Sequence, residues 1–486
     1  MKKVNLFISV LFILLTAVVN AQFTNLHNFN DTAGSFPISS LTLGGSVFYG
    51  ITGTGGDTAC NCGCIFSINA NGTGFNDMHN FLGSAHLDGT YPVGNLALVG
   101  NRLYGLTNNG QMTTNGNSCT TCGTMFAINT DGSGYSALYN FGDVPGTNCA
   151  TGCQPSGSLT YSDTVFYGMA GGGPTDDGVI FVMDTSGAWI DTLMSFNGAN
   201  GSMPTGALTL SGNVLYGMTS KGGSDNQGSV FKINTNGTGF DTLMSFNGPN
   251  GSTPIGSLTL SGNVLYGMTE DGGSYTSGRI FSINTNGTGY ADLFDFNDTL
   301  GASPQGDLTL AGNVLYGMTS SGGALSYGDI FSINTNGANM TDLFDFCLST
   351  CNDTTGTNPE GDLILYGNAL YGMDYGGGLY NAGVIFKLDT NSITSINELT
   401  IATGAVNLYP NPNNGKLTIS LALPTAVTET LPQVEIYNVL GEIVYHANIA
   451  TGNSQISLSN PVPGFYLYRI VSHDGKLTGE GKFVVE

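Results

Sequence analysis

Residues 257 to 296 read SLTLSGNVLYGMTEDGGSYTSGRIFSINTNGTGYADLFDF. Apolar residues fall at alternate positions or in short clusters, and Gly, Asn and Ser separate them into four runs. That is the pattern of short strands bounded by turns. The runs are labelled a (SLTL), b (VLYGMT), c (RIFSIN) and d (YADLFDF). The a-to-b turn is SGN and the c-to-d turn TNGTG, where Gly and Asn can take the positive φ that tight hairpins demand. Four antiparallel strands per unit are predicted.

The unit recurs. NVLYGMT stands verbatim at Asn213–Thr219, Asn263–Thr269 and Asn313–Thr319. The strand b Tyr-Gly occurs at tyrosines 49, 104, 167, 216, 266, 316 and 371, and the strand c phenylalanine at 66, 126, 181, 231, 281, 331 and 386. A proline precedes strand a at 37, 92, 155, 204, 254, 304 and 359. Strand d ends at Phe29, Phe81, Phe141, Phe196, Phe246, Phe296 and Phe346, so it is displaced by one unit. The repeat opens with an unattached d strand, NLHNF, and its last unit stops after c at IFKLD.

A four-stranded sheet repeated at about 50 residues cannot bury both faces alone, so neighbours must stack. Radial stacking predicts an all-β fold, a seven-bladed β-propeller in which NLHNF supplies the missing strand of the last blade. In the repeated heptad, Tyr, Leu and Met are expected to face adjacent blades. The Gly is expected to permit close backbone approach.

The ends of the chain change the picture. Residues 1–21, MKKVNLFISVLFILLTAVVNA, place two lysines before an apolar run and finish on small residues, which reads as a secretory signal peptide. No other apolar stretch is long enough to span a bilayer. Residues 22–391 hold the repeats, 392–406 (ITSINELTIATGAV and its flank) read as a linker, and 407–486 form a separate all-β domain. Between Gln22 and Asn391 there are 27 acidic and 5 basic residues, a net charge of −22. Phosphate backbones would be repelled, which argues against nucleic acid as a partner.

The segments KGGSDNQGSVFKIN, DGGSYTSGRIFSIN and GGGLYNAGVIFKLD share Gly-Gly, a short spacer, Gly, a β-branched residue and Phe. In this they resemble the GloVer tandem repeat of bacterial surface proteins, which implies an exported repeat protein without an assigned activity. The C-terminal blocks NLYPNPNNGKLTISL, VEIYNVLGEIVY and PGFYLYRIVSHDGKLTGEGKFVVE resemble the C-terminal sorting domain of the type IX secretion system. The residues that carry this resemblance are Tyr409, Pro410, Asn411, Pro412, Gly441, Gly464 and Tyr466. It implies a small β-sandwich read by the secretion machinery, and a protein that ends outside the cell or attached to the outer-membrane surface. An adhesion-type sandwich that stays attached is the other reading.

Candidate chemistry falls on the d-to-a and b-to-c loops, which share one face of the expected propeller. Export favours disulfides, and close spacing suggests Cys60/Cys64, Cys119/Cys122, Cys149/Cys153 and Cys347/Cys351, leaving Cys62 odd. A thiolate metal site joining CNCGC to CTTC is the rival. Acidic loop residues, among them Asp57, Asp176, Asp177, Asp225, Glu270, Asp271 and Asp374, could coordinate calcium, yet no D-x-D-x-D-G loop is present. Of the five histidines, His27 and His79 share a d-strand position, His446 and His473 belong to the C-terminal domain, and only His86 lies in a decorated loop.

No nucleophile motif stands beside His86. No catalytic residue and no cofactor is therefore assigned, and the chain reads as a noncatalytic binding or adhesion module for a glycan or protein. The candidate contacts are Asp57, His86, Asp176, Asp177 and Asp374 on the loop-rich face of blades 7, 1, 2 and 3. An extracellular glycosidase or lyase, with carboxylates converging near the channel mouth, and a structural surface-layer protein are the alternatives.

Overall fold

The computed structural model describes residues 23–56, 60–83, 88–110, 122–141, 149, 151–347, 355–390, 406–421, 432–438, 443–449, 452–458, 461–471 and 477–485. The expected signal peptide, the expected linker up to residue 405, Asp57, His86, Cys119, Cys351 and Gly441 lie outside them. Two compact units are formed, Met1–Ile393 and Thr394–Glu486. Both are all-β, and no α-helix occurs among the described residues.

The first unit contains seven four-stranded antiparallel sheets among the described residues. The fifth is representative: Thr259–Ser261, Val264–Thr269, Arg279–Asn284 and Ala291–Asp295 pair in chain order. The seventh is not built from consecutive chain. Ile364–Tyr366, Ala369–Asp374 and Val384–Asp389 are completed by Phe23–Asn28, which pairs antiparallel with Val384–Asp389. The NLHNF stretch thus fills the position left empty by a repeat that stops after strand c.

Alternation along strand b decides how the sheets meet. Leu265 joins a core with Tyr216, Met218 and Phe246 of the fourth sheet, together with Phe281 and Ile283. Tyr266 and Met268 point the other way, into a core with Leu308, Leu315 and Phe331 of the sixth. The same arrangement joins the seventh sheet to the first, where Tyr371, Met373 and Ile385 pack on Leu41, Phe48 and Phe66. The strand d phenylalanine of one sheet meets the strand c phenylalanine of the next edge to face, as for Phe246 and Phe281 with centroids 5.3 Å apart, a favoured aromatic geometry.

The repeated glycine answers to a side chain rather than to a neighbouring backbone. Gly267 lies opposite Phe281 in the cross-strand register, and a Cβ on Gly267 would stand 2.6 Å from Phe281 Cζ. The ring lies across the strand, so only glycine leaves room for it. The expectation of close backbone approach is corrected accordingly.

The second unit has a three-stranded sheet, Val406–Tyr409, Lys416–Leu421 and Gly452–Ser457. Its four-stranded sheet holds Gln433–Tyr437, Ile443–Asn448, Gly464–Val471 and Leu477–Val485. Leu417, Ile419 and Ile456 of one sheet share a core with Val434, Ile436, Ile470 and Phe483 of the other. Tyr409–Pro410 and Asn411–Pro412 are cis peptides, and this segment is exposed. Asn411 Oδ1 accepts from Val484 N at 2.9 Å, and Tyr466 Oη donates to the Val462 carbonyl at 2.8 Å.

Gly267→Ala is expected to destabilise the protein by about 1–3 kcal/mol through overpacking against Phe281. Adding Phe281→Leu should recover part of that loss, a coupling readable from denaturation midpoints of the single and double variants.

Candidate functional site

The loop residues expected to bind are dispersed. Asp176 is exposed with a φ of 65°, and Asp177 uses its backbone carbonyl to accept from Met203 N at 2.9 Å. Asp374 is not a loop residue. It ends strand Ala369–Asp374, is fully buried, and neither carboxylate oxygen has a hydrogen-bond partner. Burial holds its carboxyl well above the usual range. The reason is its place in the repeat: it stands where Thr219, Thr269 and Thr319 end strand b, and those threonines are buried too.

The cysteines depart from the expected pairing. Cys60 is bonded to Cys62, not to Cys64. Cys64 is the first residue of strand c, completely buried, and its backbone N donates to Thr52 Oγ1 at 3.1 Å. Its Sγ donates to the Ala33 carbonyl at 3.6 Å, and burial pushes the thiol up to about 12. Cys149 and Cys153 are free thiols, whereas Cys122 and Cys347 are disulfide-bonded. The sulfurs of Cys122, Cys149 and Cys153 lie within 4.8 Å of one another. The thiolate site imagined between CNCGC and CTTC is therefore not assembled, since two of the three CNCGC cysteines bond each other and the third is in the sheet. His27 and His79, the matched d-strand histidines, stack at 3.7 Å on Phe75 and Tyr135 respectively; each caps the seam toward the next sheet.

A different set of residues converges. The start of strand a in every unit reads Pro-x-x-x-Leu, and the third residue after each proline is Ser40, Asn95, Ser158, Ala207, Ser257, Asp307 or Asp362. Backbone N–H groups at this position donate to the side chain at the same position of the next sheet. Ser40 N reaches Asn95 Oδ1 (2.7 Å), Asn95 N reaches Ser158 Oγ (2.6 Å), and Ala207 N reaches Ser257 Oγ (2.7 Å). Ser257 N donates to Asp307 Oδ1, Asp307 N to Asp362 Oδ1 (2.6 Å), and Asp362 N to Ser40 Oγ (2.5 Å). The belt returns to its starting residue. Its missing link falls at Ala207, whose side chain offers no acceptor.

This belt lines a pocket of about 310 Å³ to which all seven sheets contribute. The residue directly after each proline lines it too: Ile38, Val93, Ser156, Thr205, Ile255, Gln305 and Glu360. The lining is neutral except toward sheets six and seven, which supply Asp307, Glu360 and Asp362. Gln305 Nε2 donates to Glu270 Oε1 at 3.2 Å, bringing a fourth carboxylate to the same side. Burial, then the neighbouring Asp362 carboxylate, pushes Asp307 up to about 7. Burial and Glu270 raise Glu360 as well. The pocket sits at the end of the sheets from which the d-to-a and b-to-c connections leave. Exposed tyrosines on that end, Tyr275, Tyr327, Tyr375 and Tyr380, belong to b-to-c connections of sheets five to seven. Asp307, Glu360 and Asp362 were missed in reading the sequence. The signal for them was an acid at a repeat position that is neutral elsewhere.

Repeated four-stranded antiparallel sheets followed by a second all-β unit define a tandem-repeat β protein with a separate C-terminal domain. The chain belongs to the Gloeobacter/Verrucomicrobia repeat family, which matches residues 10–228 and 211–417. Residues 407–486 match the secretion system C-terminal sorting domain, which directs export to the cell surface or extracellular space. No helix among the described residues is long and apolar enough to cross a membrane. No curated protein matches the sequence. Among solved structures the chain is similar to PorZ, an essential bacterial surface component of the type-IX secretion system of Porphyromonas gingivalis. Identity is 13% over 92% of this chain and 69% of that one, with a TM-score of 0.35. It is also similar to the extracellular domain of BT3049 from B. thetaiotaomicron, with 10% identity, 96% and 57% coverage and a TM-score of 0.47. A third likeness is to oligogalacturonate lyase from Vibrio parahaemolyticus, with 10% identity, 76% and 97% coverage and a TM-score of 0.44. The chain spans less than two thirds of the BT3049 domain, and at these scores none of the likenesses carries an argument about activity.

A carboxyl whose pKa is raised in the folded state binds more protons than in the unfolded chain, so it favours folding at low pH and that contribution is lost as pH rises. For Asp307, moving from 3.8 to about 7, the loss falls between about pH 4 and pH 7. Thermal midpoints of the wild type should decline across that window. Asp307→Asn, which keeps an acceptor for Ser257 N, should flatten the decline.

Proposed function

We propose that residues 22–391 form a closed seven-bladed β-propeller displayed outside the cell, and that it binds a glycan without transforming it. Residues 1–21 serve as its signal peptide. Residues 407–486 form a small β-sandwich engaged by the type IX secretion machinery. The closure rests on the pairing of Phe23–Asn28 with Val384–Asp389 and on the belt running from Asp362 back to Ser40.

The observation offered for the binding role is that exposed tyrosines in b-to-c connections of sheets five to seven and acidic pocket residues of sheets six and seven belong to the same end of these sheets. Tyrosine faces cover the apolar faces of sugars, and carboxylates, amides and backbone groups accept and donate hydrogen bonds to hydroxyls. The recognition zone therefore centres on sheets five to seven, whereas cysteine-rich loops placed it on blades 7, 1, 2 and 3. Protein partners would use the same surface.

Catalysis is the second reading, favoured by the proton that Asp307 holds near neutrality, a property of general acids. Against it, Asp307 Oδ1 and both oxygens of Asp362 are engaged by Ser257 N, Asp307 N and Asn95 Nδ2. Carboxylates tied into a belt are held in place rather than offered to a scissile bond.

Glycan arrays probed with the full exported chain, and with Glu360→Gln and Tyr380→Ala, test the proposal. Retention of a defined glycan group is expected, with a loss of at least about tenfold in each variant, the size of a central interface contact. Release of new reducing ends by the wild type but not by Glu360→Gln would replace binding by hydrolysis. Self-association without any glycan retention would leave a surface-layer role instead.

A further inference from the structure

A second cluster of acids lies on the sixth sheet, and none of its members lines the pocket. Asp329 opens strand Asp329–Asn334, and Asp342 and Asp345 lie on the adjoining strand Thr341–Asp345. One carboxylate oxygen from each falls within 4.8 Å of the others. Asp329 is fully buried. Its Oδ1 accepts from Thr319 Oγ1 at 2.6 Å, whereas its Oδ2 has no hydrogen-bond partner. Asp345 Oδ1 accepts from Ala324 N at 2.6 Å, which ties the cluster to the preceding b-to-c connection. Among the described residues, no ion pair involves any of the three.

The fifth sheet supplies an internal comparison. Arg279 stands where Asp329 does, opposite Asp295 as Asp329 is opposite Asp345. The Arg279 guanidinium reaches Asp292 Oδ2 at 2.9 Å and Asp295 Oδ1 at 2.5 Å, and it is almost wholly buried. In one sheet, then, two aspartates enclose a cation built into the chain. In the next sheet the same two aspartates remain, and the cation is exchanged for a third carboxylate. Asp342 is exposed, so this place is open to solvent on one side.

We infer that Asp329, Asp342 and Asp345 bind a hard divalent cation of the calcium class at the place that the Arg279 guanidinium occupies in the fifth sheet. Three carboxylates around one dication are a donor set that such ions prefer, with water completing the shell. An unpaired carboxylate oxygen inside a sheet is otherwise unfavourable. The ion would tie strands c and d to the connection that carries Tyr327, and so hold that part of the exposed surface.

Calorimetric titration of the chelator-stripped full chain with calcium chloride, and separately with magnesium and manganese chloride, tests this. A saturable site for at least one of them is expected, together with a thermal midpoint that rises when the ion is added. Asp342→Asn, a change at an exposed residue, should weaken binding by at least about tenfold. Asp329→Arg should abolish that binding while keeping, in chelator, a thermal midpoint no lower than that of the stripped wild type. Absence of saturable binding by all three ions would overturn the inference. So would binding that persists undiminished in both variants.

Discussion

Leu265 and Tyr266 are neighbours in one strand, yet they bury against different sheets, Leu265 against the fourth and Tyr266 against the sixth. Each sheet of the first unit is apolar on both faces, and a two-faced sheet must be covered twice. Consecutive repeats satisfy this for the interior of the series. The first and last sheets would each leave one face in water unless they cover each other. They do so through Tyr371, Met373, Leu41 and Phe48, and Phe23–Asn28, which leads into the first sheet, is paired into the seventh. The pocket is a consequence of the same constraint, because sheets packed face to face bring the starts of their a strands together.

Most of this was legible in the residues. Alternation at a period of two, turn glycines and the displaced d strand are local signals, and they are repeated often enough to be counted. What could not be read was the fate of individual side chains at positions where one copy departs from the others. Asp374 looks like a loop acid until its register shows it standing in the place of a buried threonine. Cys64 is close enough to Cys60 to suggest a bond, but its place at the start of strand c turns it inward. The glycine of strand b was expected to admit a neighbouring backbone, and it admits a side chain instead. That the approaching group was a phenylalanine ring follows only from cross-strand register.

A repeat also acts as its own set of controls. The first residue of strand c is Cys64, Thr124, Val179, Ser229, Arg279, Asp329 or Val384 in an unchanged backbone. Thr319 serves Asp329 in the way that Thr219 serves Ser229, whose hydroxyls lie 2.9 Å apart. The scaffold therefore accepts a thiol, a hydroxyl, an aliphatic group or either sign of charge at this place. What differs is how the remaining valence is satisfied. Arg279 finds two carboxylates and Tyr290, whereas Asp329 keeps one oxygen without a partner.

Burial raises the carboxyls of Asp307, Asp329, Glu360 and Asp374 on sheets six and seven above their ordinary values, and does the same to Asp77 on the first sheet and Glu270 on the fifth. Such groups oppose folding near neutral pH, since the charged form loses water on burial. A unit carrying 27 acids and 5 bases between residues 22 and 391 has few cations with which to offset them. A structural role would be met as well by the serine, threonine and valine that occupy the equivalent places in other sheets. Carboxyls kept at a cost to stability, where neutral residues fit the same backbone, are the pattern that the proposed binding role requires. The proposed binding role would place recognition at the loop-bearing end of sheets five to seven, with the remaining sheets holding that end in place.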